Sequence, residues 1–153
     1  MSGYSDIIVL RHPENGSVQK FADASRVPVI NAGDGSNEHP SQALLDLYTI
    51  EKELSLNNKN LDNLRIALVG DLKYGRAVHS LCKILSKFSN VNMNLVSPGE
   101  LRLPGDLLNQ LNEAGVSVIQ TENLEEGISG VDIIYVTRVQ EERFKNKEDA
   151  NKY

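Results

Sequence analysis

Residues 64 to 76, Leu64-Arg65-Ile66-Ala67-Leu68-Val69-Gly70-Asp71-Leu72-Lys73-Tyr74-Gly75-Arg76, set the fold class of this chain. An apolar strand over Leu64 to Val69 runs into a glycine-bounded loop. Val78, Leu81, Cys82, Leu85 and Phe88 then recur at helical spacing. A strand followed by an amphipathic helix is the repeating unit of a parallel sheet, because a parallel neighbour is reached only by a crossover. The unit recurs downstream, where strands Val91 to Val96, Val116 to Ile119 and Val131 to Val136 alternate with helices Asp106 to Ala114 and Glu122 to Ser129. Upstream, the pattern predicts a strand over Asp6 to Leu10, a helix within Glu14 to Arg26, a strand over Val27 to Ile30 and a loop from Asn31 to Ser36. A long helix then opens at Pro40 with His39 as N-cap and Leu44, Leu47, Ile50 and Leu54 along one side. The polar break Leu56-Asn57-Asn58-Lys59-Asn60 separates the two series. The expected architecture is α/β and Rossmann-like, with parallel sheets carrying helices on both faces. It divides into residues 1–36, a connecting helix and linker at 37–58, and residues 59–153. The charged stretch Glu141 to Tyr153 leads to no further strand, so the alternation reads as incomplete.

At 153 residues and 40% hydrophobic content the chain can bury a real core. Its net charge of -5 argues against nucleic-acid or anionic-membrane partners, so any anion site must be local. The lone Cys82 excludes an internal disulfide and a cysteine-based zinc site, and suits a reducing compartment. No apolar run approaches the roughly 20 residues of a membrane span, and the N-terminus lacks a signal pattern. The expectation is a cytoplasmic protein. No histidine and acid grouping has metal-ligand spacing, so neither metal nor cofactor is expected.

In an open parallel sheet the binding crevice lies at the carboxyl ends of the strands, where strand order reverses. Those loops carry Arg11-His12-Pro13, the glycine loop leading to His39-Pro40-Ser41-Gln42, Asp71 to Arg76, and Thr137-Arg138-Val139-Gln140. If the second sheet has order 3-2-1-4, its first and fourth strands are neighbours, and Arg76 and Arg138 face one crevice. Guanidinium groups match carboxylate and phosphate oxygens in bidentate fashion. The helix beginning at Pro40 adds a positive dipole end beside His39 and Gln42. Arg76 stands where its own charge opposes a helix N-terminus, a broken local rule that suggests function.

The stretches RHPENG, VINAGDGSNEHPSQALLDL, LVGDLKYGRAVHSL and YVTRVQEER, in this order and at these separations, resemble the catalytic chain of aspartate carbamoyltransferases along almost the whole sequence. Related ornithine enzymes carry a cysteine where this chain has Ser41, and lack the DLKYGR and TRVQ pair. The resemblance implies that Arg11, His39 and Gln42 hold carbamoyl phosphate, with His39 and Arg11 catalytic, and that Arg76, Arg138 and Gln140 bind L-aspartate. It also implies that residues 1–36 end a carbamoyl-phosphate domain and 59–153 begin an aspartate domain. A homotrimer in the full-length parent, a form that can carry regulatory chains, follows from the same likeness. The family's phosphate loop, its neighbour-subunit loop and its C-terminal helix have no counterpart in the sequence, so this stretch alone is expected to be inactive.

Plainer roles stand beside these. Arg11 can pair with Glu14 at a strand end, His39 can serve only as a cap, and Gln42 can be a solvated helix residue. Asp71 and Lys73 read as a structural pair, and His12 and His79 as structural. Gly70-x4-Gly75 is a poor nucleotide fingerprint, because Leu72 fills the middle glycine position. A non-catalytic dicarboxylate-binding domain and an assembly module of the same fold remain the alternatives.

Overall fold

The computed structural model describes residues 3–140; the charged stretch from Glu141 to Tyr153 lies outside the described residues. β1 (Ile8–His12) and β2 (Val29–Asp34) form a parallel pair connected through α1 (Ser17–Ala24). The long α2 (Pro40–Leu56) leads into the second series: β3 (Arg65–Gly70), α3 (Arg76–Leu85), β4 (Asn92–Val96), a 3₁₀ turn at Gly99–Leu101, α4 (Gly105–Glu113), β5 (Ser117–Thr121), α5 (Leu124–Ile128) and β6 (Ile133–Thr137). The second sheet is parallel throughout, in the order β5-β4-β3-β6. Strand order therefore reverses between β3 and β6, as the conditional reading of the sequence required.

Several boundaries differ from the sequence reading, most by one or two residues: β1 runs Ile8–His12 rather than Asp6 to Leu10, so Arg11 and His12 stand in the strand and not in the loop after it. Asn31 to Asp34, read as loop, continue β2, because the ladder with β1 extends to the pairing of His12 with Asp34. The buried Asp34 carboxylate then accepts the Gly16 N–H at 2.9 Å, so it caps the start of α1 from the end of β2. Burial alone would raise the Asp34 carboxyl; the N–H donors at the start of α1 and the Asn37 amide hold it below its ordinary value instead. α1 starts three residues after Glu14, whose N–H is taken by His12 Nδ1 and whose following Gly16 has φ of 81°.

Ile66 and Leu68 of β3, Met93 and Leu95 of β4, the stripe of α3, Leu107 and Leu111 of α4, and Ile50 and Leu54 of α2 form one buried cluster. Each such side chain contributes about 1.5–3 kcal/mol when taken fully from water. α2 is thereby fixed to the second sheet while its N-terminus meets the first. The opposite face of the second sheet carries the short α5, whose Gly127 lies against Val96 and Thr121. Ile134 and Val136 on that face are 50% and 71% exposed, so helical cover is partial there among the described residues. Arg65 opens β3 on the exposed side and pairs with Asp132, which also receives Lys59. No helix is long and apolar enough to cross a membrane among the described residues.

Candidate active site

His39 occupies the N-cap of α2, and its own N–H donates to Ser80 Oγ of α3 at 2.9 Å. Its Nδ1 accepts the Gln42 N–H at 3.4 Å, with Ser41 Oγ at 3.3 Å. A backbone N–H can only donate, so Nδ1 is the acceptor and the neutral ring carries its proton on Nε2. Burial, then the charges of Arg76 and Arg11, hold the His39 pKa below the ordinary histidine value; Asp46 opposes them in part. The cap role and a site role thus coexist: capping fixes the tautomer and leaves Nε2–H as a neutral donor.

Arg11 lies at the exposed end of β1, and no ion pair among the described residues joins it to Glu14. Arg76 is the first residue of α3, yet its side chain turns back across the chain, and Nη1 donates to Gly35 O at 2.9 Å. The guanidinium lies on the backbone of Gly33, where an added Cβ would come within 3.0 Å of Nη1. The glycine loop therefore receives Arg76 from the second sheet, and the charge that opposes the α3 dipole is directed toward a carbonyl of the first series. Of the sequence-predicted residues, Arg11 and Arg76 stand near enough to His39 for their charges to lower its pKa.

Arg138 and Gln140 follow β6, beside the loop that follows β3. The strands converge so closely that a Cβ on Gly70, whose φ is 116°, would stand 2.1 Å from Thr137 O. Arg138 is exposed and its Nη1 donates to Val139 O at 3.0 Å, while Gln140 Nε2 donates to Arg138 O at 3.4 Å. Asp71 fastens the two loops. Its Oδ1 accepts the N–H groups of Lys73 at 3.1 Å and Tyr74 at 2.9 Å, and its Oδ2 accepts that of Gln140 at 3.0 Å. The Asp71 and Lys73 pairing read from the sequence exists, but through the backbone. Lys73 Nζ instead stands 5.2 Å from the Tyr74 ring centroid.

Gln42 Nε2 donates to Asp46 Oδ1 at 3.0 Å, and Tyr135 Oη donates to Asp46 Oδ2 at 2.9 Å. Sequence reasoning missed Asp46, Tyr135 and the reach of Asp71. Only the four-residue spacing of Gln42 and Asp46 on a helix was visible in advance. His79, read as structural, faces Leu72 O at 2.9 Å and Asn37 O at 3.3 Å. A cavity of about 690 Å³ opens elsewhere, at the amino ends of β3 and β6, lined by Lys59, Arg65 and Asp132. Lys59 and Arg65 there both pair with Asp132, at 2.6 and 3.1 Å. What the strand-end arrangement can do is bind anions and polarise a carbonyl.

Residues 1–52 match the family described as aspartate/ornithine carbamoyltransferase, carbamoyl-P binding domain, and residues 62–153 match its Asp/Orn binding domain. The chain is 58% identical to an aspartate carbamoyltransferase catalytic subunit of Cellvibrio japonicus, over 100% of its own length and 45% of the relative's. It thus spans about half the length of the curated relatives it matches. Among solved structures, the catalytic subunit of M. jannaschii aspartate transcarbamoylase superposes with a TM-score of 0.83 at 51% identity, over 99% of this chain and 48% of that one. The Trypanosoma cruzi enzyme in complex with carbamoyl phosphate and aspartate gives a TM-score of 0.87 at 40% identity, over 97% and 47%.

Proposed function

The chain belongs to the aspartate/ornithine carbamoyltransferase family, and from that premise we propose that the whole protein transfers the carbamoyl group of carbamoyl phosphate to the amino group of L-aspartate, giving N-carbamoyl-L-aspartate and phosphate. The observation that carries the reading is His39: a neutral Nε2–H donor, set by its capping bond, with the charges of Arg11 and Arg76 acting on it. Carbamoyl phosphate is assigned to Arg11, His39 and Gln42. The carboxylates of aspartate are assigned to Arg76, Arg138 and Gln140. The solved T. cruzi relative bound to carbamoyl phosphate and aspartate supports this choice of substrates.

The aspartate amine attacks the carbamoyl carbon, and its electron pair forms the new C–N bond. Negative charge collects on the carbamoyl oxygen, where His39 Nε2–H and Arg11 donate. The bond to the phosphate oxygen then breaks, and phosphate departs with a proton from the amine. Catalysis is placement and charge stabilisation, and removing one such donor costs about 3 kcal/mol, or roughly a hundredfold in rate. A neutral donor is well suited here, because it leaves the net charge facing the departing phosphate to the arginines. We extend the proposal to a homotrimer, a form that can carry regulatory chains, and to the division at residues 1–36, 37–58 and 59–153.

The test is a melting curve of the protein with succinate, with carbamoyl phosphate and with both, alongside an assay for carbamoyl aspartate. Ligands that bind only the native state raise the midpoint. Turnover that Arg138→Ala abolishes supports the transferase. A succinate shift without turnover supports a dicarboxylate-binding module instead, and indifference to every ligand removes the site assignment.

A further inference from the structure

We propose that Asp46 is the positioning residue for the Gln42 amide: it holds the Nε2 end, so that the carbonyl Oε1 is left to receive the NH2 group of carbamoyl phosphate, and Tyr135 fixes the carboxylate from β6. The inference rests on the carbamoyl phosphate reading above and deepens it.

An amide side chain has two faces of similar shape and opposite hydrogen-bonding character, so its orientation must come from its neighbours. Here the neighbour decides without ambiguity. A carboxylate has only acceptors, and Asp46 Oδ1 stands 3.0 Å from the amide nitrogen of Gln42. The four-residue spacing on α2 brings the two side chains onto one face. The other oxygen, Oδ2, is engaged by Tyr135 Oη at 2.9 Å. Burial, then the hydrogen bond and charge of Asp46, push the Tyr135 hydroxyl well above the ordinary tyrosine value, so it remains a protonated donor. Both carboxylate oxygens are thus occupied by donors from different elements, and the carboxylate cannot rotate without losing one of them.

The consequence is selectivity for an amide over a ketone. With Nε2 engaged, Gln42 presents an acceptor, the complement of a carbamoyl NH2. Without Asp46 the amide can turn its own NH2 to the ligand, donor against donor. Tyr135 also lies three positions before Arg138 on the same strand end, so one carboxylate links the first turn of α2 to the segment that delivers that arginine.

Two stable probes separate this role from general support of the fold: phosphonoacetamide, which has the NH2, and acetonylphosphonate, which has a methyl in its place. Calorimetric titration of the whole protein, with the phosphate loop that this stretch lacks, should show a preference for phosphonoacetamide. Asp46→Ala should reduce that preference by about tenfold while leaving acetonylphosphonate affinity within about twofold. Asp46→Asn retains an oxygen for Nε2–H and should restore most of the preference. Tyr135→Phe, which keeps the ring, should weaken it by a few-fold in the same direction, and decides the matter if Asp46→Ala does not fold. Asp46→Ala combined with Gln42→Ala should be no less selective than Gln42→Ala alone, because the two act in series. A preference that survives both Asp46→Ala and Tyr135→Phe, or losses that add in the double variant, overturns the role of Asp46 and leaves the carbamoyl reading intact. Wild-type protein that binds neither probe overturns that reading, and this inference with it.

Discussion

Asp71 and Gln140, 69 residues apart, are joined by a 3.0 Å hydrogen bond from the Gln140 N–H to the buried Asp71 carboxylate. The same carboxylate receives Lys73 and Tyr74 at the turn before Arg76, so a single side chain sets the loops after β3 and β6 against each other.

Asp71→Asn should separate these two tasks. The asparagine oxygen can still accept from Lys73 and Tyr74, but its NH2 faces the Gln140 N–H, donor to donor. Stability should fall by about 1–3 kcal/mol. Succinate affinity should fall by about tenfold, with phosphonoacetamide affinity changed far less. Equal loss for both ligands would show that the loops are not set independently of the α2 end of the site.

Gly70→Ala tests how close β3 and β6 come. The added Cβ meets backbone, Thr137 O at 2.1 Å, from a φ of 116° that L residues rarely adopt. Chemical denaturation should show a loss of about 2–4 kcal/mol. A variant as stable as wild type would place Thr137 farther away than described.

His39 should make stability pH-dependent in a defined direction. Its folded pKa lies below its unfolded value of about 6.5, so between those values the unfolded chain binds more protons. The contribution is complete above pH about 6.5 and declines as pH falls from there toward the folded pKa, by at most about 1.4 kcal/mol per pH unit. Denaturation midpoints measured across that range should decline more steeply for wild type than for His39→Asn. Parallel curves would remove the stated cause, the burial and arginine charges around the ring.

Cys82 is fully buried, and burial pushes its thiol up to about 12. A disulfide reagent at neutral pH should label it only as fast as the protein opens, and immediately in denaturant. Rapid labelling of protein with a cooperative melt would show that α3 detaches locally from the sheet.

Local order carried much of this molecule in the sequence. The alternation of apolar strands with the α3 stripe specified a parallel α/β fold, and Pro40 after His39 marked the start of α2. Each depends on a few adjacent residues, whose backbone preferences and apolar spacing act over one or two turns. The strand-end arginines were likewise visible, because the carboxyl ends of parallel strands are defined by chain direction alone. The end of β2 was not visible: Asn31 to Asp34 have loop composition and became strand only through register with β1. Asp71 with Gln140, and Asp46 with Tyr135 across 89 residues, were also hidden. Which side chains meet over such distances depends on strand order, register and helix docking, which the buried cluster sets collectively. The sequence by itself therefore determined the elements and the charges at their ends; the tertiary structure decided which carboxylate holds which loop, because a hydrogen bond needs its partners within about 3 Å and no local preference encodes that distance.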